Sequence, residues 1–277
     1  MGDFAADTAV EGSKGRYRAR LSRDWEIWGP NGGYVAAVAL RAAGAASQLR
    51  RPATFSGHFL SVAEFDVVDL EVTMLRAAKR AESMRVSMTQ KGRPIFEALV
   101  WVVGDVEGLE HDTPKMPVVP PPSALKSMEE LVPVEQLQQR YRFWNNFEAR
   151  PIDFVPWAER EPGPPAWCEW YRFRPRAAFD DPFVDAARSL LLIDTMGWPA
   201  ACRPYPRDNG YVAPSLDVHA HFHRLAPADE WLLADAVAPV AADGLIGGQA
   251  RVWSPSGKLL ASGGCQMLCR PAPPQRS

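Results

Sequence analysis

Cysteines are few, and no pattern of cysteine chemistry is present. Four cysteines occur in 277 residues, and no two of them form the Cys-x-x-Cys pair of zinc fingers and redox motifs. Cys265 and Cys269, which are close in sequence, lie in an apolar segment that we predict to be a strand. Because a disulfide framework is typical of small secreted domains, its absence favours a reducing, cytoplasmic compartment.

Long hydrophobic runs and an excess of charge of one sign are also lacking. No apolar run approaches the roughly 18 residues that a membrane span needs. Residues 1–17 place acidic residues before basic ones, which is the wrong order for a secretory signal. The formal net charge is -2 and the pI about 6.2, so no strong field attracts nucleic acid. We therefore expect neither a membrane span nor a nucleic-acid partner.

Proline is abundant and unevenly placed. Eleven of the 26 prolines fall between Asp105 and Pro165, where they exclude most central strand because proline lacks a backbone donor. A short helix is predicted at Met128–Tyr141, and the rest of this stretch is predicted to be a connection. The predicted division is an N-terminal domain over 1–105, a proline-rich connection over 106–165, and a C-terminal domain over 166–277 that ends in a proline-rich tail after Arg270.

Both domains show the same order of elements. Each has a short strand, a long apolar helix and then a series of strands. The helices are predicted at Tyr34–Ala46 and Val184–Met196, and both should be buried because they are apolar on nearly every side. The strands are predicted at Gly15–Leu21, Thr54–Val62, Asp69–Arg76, Ser83–Gln90 and Ile95–Val103, and at Trp167–Arg174, Ser215–Arg224, Trp231–Val237, Gly248–Trp253 and Leu259–Leu268.

A nearly constant spacing relates the two halves. The turn glycines Gly92 and Gly257 lie 165 positions apart, and His58 and Phe222 lie 164 apart. This spacing indicates an internal duplication, although two α+β domains could also resemble each other by chance. In each unit an antiparallel sheet would curl around the helix, and pairing of the two units would cover exposed sheet edges.

Four segments together carry a family resemblance: Trp28 to Tyr34, Phe55 to Leu60, Ser87 to Phe96, and Leu216 to Arg224. In their order and spacing they resemble the type II acyl-CoA thioesterases, which are double hot-dog proteins. The resemblance covers both halves but not the connection or the ends. It implies an α+β double hot-dog fold and hydrolysis of a fatty acyl-CoA thioester to free acid and CoA, with no metal or organic cofactor.

The first helix is preceded by a candidate oxyanion hole. Asn31, Gly32 and Gly33 come immediately before the apolar run. The free N–H groups of a helix start carry partial positive charge, and glycine allows close approach of a substrate. These three residues are therefore predicted to bind the thioester carbonyl. The alternative is that the glycines serve a turn and that Asn31 caps the helix.

Asp217 is the candidate general base. It lies in a predicted strand among apolar residues, where a carboxylate is costly unless it has partners or a task. The resemblance implies that Asp217 activates water together with Gln266. The alternative is that both are solvated or surface residues. The family also uses a hydroxyl residue after the next strand, and the corresponding segment here, 237–241, contains none.

The second helix lacks the glycine motif. It opens with Asp180-Asp181-Pro182, and two aspartates would repel an oxyanion. Ala53 stands 164 positions before Asp217, so the first half should lack a base. The sequence thus predicts one composite site per chain, with the oxyanion hole from the first half and the base from the second.

Other functions follow from other residues. His58 is predicted to contact substrate, with a purely structural role as the alternative. Three alternating histidines, His219, His221 and His223, share one strand face, but zinc would need a further ligand. No Gly-x-Ser-x-Gly elbow supports a serine hydrolase.

Two alternatives to thioester hydrolysis are left open by the sequence: a hot-dog hydratase or dehydratase, and a non-catalytic acyl-CoA or lipid binder. A homodimer is also expected, and basic residues for the CoA phosphates are sought among Arg76, Lys79, Arg80, Lys91 and Arg93.

Overall fold

One twelve-stranded antiparallel sheet organises the molecule. The computed structural model describes residues 1–156, 159–206 and 209–272. The strand order is β1-β2-β4-β5-β6-β3-β10-β13-β12-β11-β8-β7, and a separate small pair joins β9 and β14. The strands are β1 Glu11–Ser13, β2 Arg16–Arg20, β3 Arg51–Phe59, β4 Val67–Ala78, β5 Ala81–Gln90, β6 Arg93–Val103, β7 Phe147–Pro151, β8 Ala166–Phe173, β9 Tyr211–Val212, β10 Asp217–Phe222, β11 Trp231–Ala242, β12 Leu245–Trp253, β13 Leu259–Leu268 and β14 Arg270–Pro271.

Two long helices lie against this sheet and against each other. The helices are α1 Phe4–Asp7, α2 Gly32–Ala46, α3 Met128–Leu131, α4 Val134–Gln138 and α5 Pro182–Cys202. Both α2 and α5 are buried along most of their length, as their apolar composition predicts. The bare Cα of Gly33 faces Leu191 and that of Gly44 faces Phe183, so the two helices run antiparallel.

The sheet confirms the internal duplication. Strands β3 and β10 join the halves, and the neighbours of each follow in corresponding order on the two sides. Within this joint Ser56 lies opposite His219, while Asp217 lies opposite His58 and His221 opposite Thr54. Together with the two buried helices, this arrangement confirms the α+β double hot-dog fold.

The spacing between the halves differs slightly from the predicted one. The N–H groups of Leu60 and Ser61 donate to the Ile95 carbonyl, and those of His223 and Arg224 donate to the Leu260 carbonyl. The offset is therefore 163 for β3 to β10 and 165 for β6 to β13. The predicted offset of 164 between His58 and Phe222 was therefore too large by one residue, whereas the 165 between the turn glycines agrees with the offset of β6 to β13.

As a consequence the counterpart of Asp217 is Thr54 and not Ala53. Thr54 is half-buried and has a hydroxyl in place of a carboxylate. The prediction that the first half lacks this base therefore keeps its conclusion but changes its residue.

The connection contains more structure than its prolines predicted. The helix predicted at Met128–Tyr141 is interrupted at Pro133 and forms α3 and α4. The unpredicted strand β7 pairs with β8 at the sheet edge, where proline is tolerated. Helix α5 extends past its predicted end to Cys202, with Pro199 inside it. The domain boundaries at 105 and 165 stay predictions, and residues 157–158 of the connection and 273–277 of the predicted tail lie outside the described residues.

Candidate active site

The start of α2 is held by Asn31. Its side-chain Oδ1 accepts the N–H of Tyr34 at 2.9 Å, and its Nδ2 donates to Thr195 Oγ1 on α5 at 3.1 Å. Asn31 is thus a buried N-cap that also fixes α2 to α5. Within the described parts of the chain, the N–H of Gly32 has no hydrogen-bond partner. One positively polarised donor is therefore available at this helix start.

Packing explains why two glycines follow the cap. A Cβ on Gly33 would lie 2.7 Å from the Leu191 Cα, which is backbone and cannot move aside. A Cβ on Gly32 would lie 2.7 Å from Asp194 Oδ2 and 3.0 Å from the Phe59 ring. Gly33 is thus required for close contact between the helices, whereas the open side of Gly32 faces Asp194 and Phe59.

Asp194 is a site residue that the sequence analysis did not select. It lies in the middle of α5 and is 5% exposed. The pKa of its carboxyl is raised to about 6, chiefly by burial and also by the nearby charge of Asp217, while the Ser215 hydroxyl and the Gly33 N–H partly oppose this rise. An acidic residue within an otherwise apolar, buried helix was the signal in the sequence, because such a residue is costly without a task.

Asp217 lies next to a β-bulge at the start of β10. Five residues from Ser215 to His219 face only four from Met267 to Gly264, so one strand carries an extra residue here. The half-buried Asp217 accepts the backbone N–H of Gln266 at 2.8 Å through its Oδ1.

The predicted residues fall into two groups. Asp217, Gln266 and the exposed His58 lie on adjacent strands, and from Asp217 onward the alternation along β10 puts this carboxylate on the face of His219 and His221. The second group, at the start of α2, lies on the helix side of the sheet with Asp194 and Ser215. No hydrogen bond among the described residues joins the two groups directly, but Asp217 at the start of β10 is close enough for its charge to raise the pKa of the Asp194 carboxyl.

Phe59 connects the two groups. Its ring lies over Gly32, and its N–H donates to the Leu216 carbonyl at 2.9 Å, one residue before Asp217. The start of α2 and the start of β10 are therefore separated by little more than this phenylalanine.

The hydroxyl of this region comes from an unexpected segment. Residues 237–241 contain none, as the sequence indicated. Ser215 contacts both the Asp194 carboxyl and the Cys265 thiol, and it is a second hydroxyl near the α2 start besides that of Thr195, which is bonded to Asn31. The bulge accounts for this position, since the extra residue reverses the alternation between Ser215 and Asp217.

Other candidate groups have different surroundings. Lys91 pairs with Glu64 at 2.6 Å, and Arg93 donates to the Val62 carbonyl. Among the described residues no three His, Cys, Asp or Glu side chains are grouped so that they could hold a metal ion. In the same residues no helix is long and apolar enough to cross a membrane.

Solved structures share this architecture over the whole chain. A hot-dog protein from Alicyclobacillus acidocaldarius is 21% identical with a TM-score of 0.80, and the match covers 99% of each chain. An acyl-CoA thioesterase II, TesB2, from Mycobacterium marinum is 22% identical with a TM-score of 0.78, covering 98% of this chain and 99% of that one. The tesB protein of Mycobacterium avium subs paratuberculosis is 23% identical with a TM-score of 0.77, covering 97% and 98%. At these identities the likeness shows the fold.

Family models identify both halves. The acyl-CoA thioesterase N-terminal domain matches residues 21–103, and the acyl-CoA thioesterase C-terminal domain matches residues 120–264. The second match alone spans more than half of the chain and includes α5, β10 and most of β13. The chain therefore belongs to the acyl-CoA thioesterase family and is a thioester hydrolase.

Proposed function

We propose that the chain hydrolyses fatty acyl-CoA to free acid and CoA at one site, between the start of α2 and the start of β10. The observation that carries this proposal is the unpartnered N–H of Gly32, separated by a single phenylalanine from a strand that begins with a carboxylate. Preorganised donors of this kind contribute most where negative charge develops in the transition state.

Each site residue has a separate task in this proposal. The Gly32 N–H receives the thioester oxygen, and Asn31 and Gly33 fix the helix start that presents it. Asp217, held by the Gln266 N–H, takes a proton from the attacking water. His58, which lies opposite Asp217 in the sheet, contacts the bound acyl-CoA.

The reaction balances with these groups alone. The water oxygen bonds to the carbonyl carbon, and its proton passes to Asp217. When the tetrahedral intermediate collapses, the carbon–sulfur bond breaks and its electron pair goes to the CoA sulfur. That sulfur takes the proton back from Asp217, which regenerates the carboxylate.

Substrate access depends on Phe59. Its ring would lie 3.0 Å from a Cβ on Gly32, so the ring borders this helix start, and in this proposal it turns aside when the thioester carbonyl binds to the Gly32 N–H. Phe59 packs on Phe96 at a ring-centroid distance of 4.8 Å and is half-buried, which leaves room for such a rotation.

The experiment is release of free CoA from acyl-CoAs of rising chain length, measured for wild type and for Asp217→Asn. We expect the wild type to turn over at least one chain length and the variant to lose about 100-fold in kcat. Thr54→Val, at the counterpart position in the first half, is the matched control and should retain activity. Equal loss in both variants, or none in Asp217→Asn, contradicts the assignment of the base.

We further propose that the enzyme is a cytoplasmic homodimer that acts in fatty acid metabolism. The sequence supports the compartment through its lack of a disulfide framework. Light scattering of the purified chain gives the oligomeric state directly, and a monomeric mass across a wide concentration range contradicts the dimer.

A further inference from the structure

A buried carboxyl oxygen at the proposed site has no partner. Oδ1 of Asp194 is inaccessible to solvent and makes no hydrogen bond within the described residues. Burying such an oxygen unpaired costs free energy. If the carboxyl had no function, an apolar side chain at position 194 would serve the fold equally well. The unpaired oxygen therefore points to a ligand from outside the chain.

The position of this carboxyl agrees with that expectation. Its other oxygen lies 2.7 Å from where a Cβ on Gly32 would stand, beside the unpartnered Gly32 N–H. The Gly33 N–H and the Ser215 hydroxyl stabilise its ionised form. The Asp194 carboxyl with its unpaired Oδ1 and the unpartnered Gly32 N–H thus belong to the same helix start, which suits a water molecule next to a carbonyl oxygen.

We infer that Asp194 is a further catalytic residue, which binds the attacking water through its free Oδ1 at the start of α2. The inference rests on the proposed function. One hydrogen of the water bonds to Asp194 while the other passes as a proton to Asp217, so the atom balance given above does not change. Ser215 orients the Asp194 carboxyl and is a positioning residue.

The pH dependence of the reaction should report this role. The titratable groups that face Asp194 are Asp217 at the start of β10 and the Cys265 thiol on β13, whose Sγ donates to the Asp194 backbone carbonyl at 3.7 Å. The side of α2 presents Asn31 and Gly33, which do not titrate. The ionised Asp194 can accept the water on Oδ1 while the carboxyl also accepts the Gly33 N–H, and its pKa is raised to about 6. Activity should therefore fall as the pH drops through about 6.

The decisive variant is Asp194→Asn, which keeps the shape and can still accept the Gly33 N–H. We expect kcat to fall at least about 100-fold, the lower end of the range for loss of one acid–base or electrostatic group, with KM changed less than about threefold. On the acid side of the pH profile (the acid limb), the pH at which the residual activity falls to half should be lower than in the wild type. A merely structural role would move neither the limb nor the ratio of kcat to KM.

The control variant is Asp235→Asn. Asp235 is a half-buried carboxyl on β11 whose pKa is also raised by burial, but it lies away from the α2 start and should leave kcat and the acid limb unchanged. Ser215→Ala gives a second measurement in case Asp194→Asn does not fold, and a loss of about threefold to tenfold is expected for one hydrogen bond to a charged group.

The outcomes separate the inference from the proposed function. If the wild type releases no CoA from any acyl-CoA, the proposed function itself fails. If the wild type is active and Asp217→Asn is impaired, but Asp194→Asn has wild-type kcat and acid limb, only the inference is overturned. If Asp194→Asn is unfolded and Ser215→Ala has wild-type kcat and acid limb, the inference is overturned as well.

Discussion

The starts of the two long helices, α2 and α5, share one framework and differ in every group that could touch a substrate. Asn31 and Asp181 are the two N-caps. After Asn31 comes Gly32, whose N–H is unpartnered among the described residues. After Asp181 comes Pro182, which has no N–H, and the Asp181 carboxylate accepts the next two N–H groups at 2.9 and 3.4 Å. The first helix start can receive an oxyanion, and the second cannot.

The residues that face the two helix starts from the opposite helix also differ. Gly44 and Asp194 each lie 13 residues after the N-cap of their helix. Asp194 faces the glycines of α2, whereas Gly44 faces the ring of Phe183. Duplication therefore provided two equivalent helix starts. A large ring fills the second, and a carboxyl with a free oxygen stands beside the first, so the geometry supports one site per chain.

The largest effect should come from making the first helix start like the second. Gly32→Pro removes the free N–H at a position where proline suits a helix, and we expect kcat to fall about 100-fold, as for loss of an oxyanion donor. Gly32→Ala adds a similar Cβ but keeps the N–H, so the difference between the two variants isolates the donor. CoA release measures both. Equal kcat in the two variants would mean that this N–H does not stabilise the transition state.

Substitutions at the two glycines of the contact between α2 and α5 should differ in their effect on the free energy of unfolding. Gly33→Ala puts a Cβ 2.7 Å from the Leu191 backbone, whereas Gly44→Ala puts one 2.5 Å from the Phe183 ring. Backbone cannot rotate away, so we expect Gly33→Ala to lower the free energy of unfolding by about 2–3 kcal/mol and Gly44→Ala by less. Denaturant titration of both variants tests this, and the reverse order would show that the helices can separate at Gly33.

A smaller effect should appear in the pH dependence of stability. Pairing across the sheet makes Tyr17 in the first half the counterpart of Glu169 in the second. The row of paired residues in the first half is Tyr17, Leu70, Met88, Phe96 and Phe59. The corresponding row in the second half is Glu169, Ala234, Val252, Ala261 and Phe222. Burial raises the pKa of Glu169 to about 7, and donors on Tyr171 and Trp167 only partly oppose this.

A carboxyl with a raised pKa in the folded state stabilises the fold at low pH, and this stability is lost as the pH rises from about 4.5 through about 7. The loss should be on the order of 2 kcal/mol. Glu169→Gln should flatten the profile of unfolding free energy between pH 5 and 8, and Tyr17→Phe should not. Parallel profiles for wild type and Glu169→Gln would rule this carboxyl out as the cause.

The smallest effect concerns the cap of the second helix. Asp181 also pairs with Arg41 at 2.7 Å, and its side chain is 44% exposed. Asp181→Asn keeps an equivalent cap and removes only the ion pair, so it should cost less than about 1 kcal/mol and leave kcat unchanged. Thermal unfolding and CoA release check both points. A clear loss of activity would show that the second helix start also takes part in the reaction.

Much of the fold was predictable because its pattern is local. The two long helices and ten of the strands follow from apolar runs and alternation, and the duplication follows from spacing. The prediction failed at Pro133, which splits a helix, and at β7, which a proline-rich composition concealed. The counterpart of Asp217 was wrong by one residue because turn lengths shift the offset between strands.

The sequence by itself determined the two buried helices, the duplicated order of elements and the glycines that precede α2, since each of these depends on the chemistry of neighbouring residues. Only the tertiary structure decided that Gly33 serves helix contact and that Gly32 keeps a free N–H. It also decided that Asp194, 162 positions after Gly32, lies beside it. Such a pairing depends on the antiparallel crossing of α2 and α5, which no local pattern specifies.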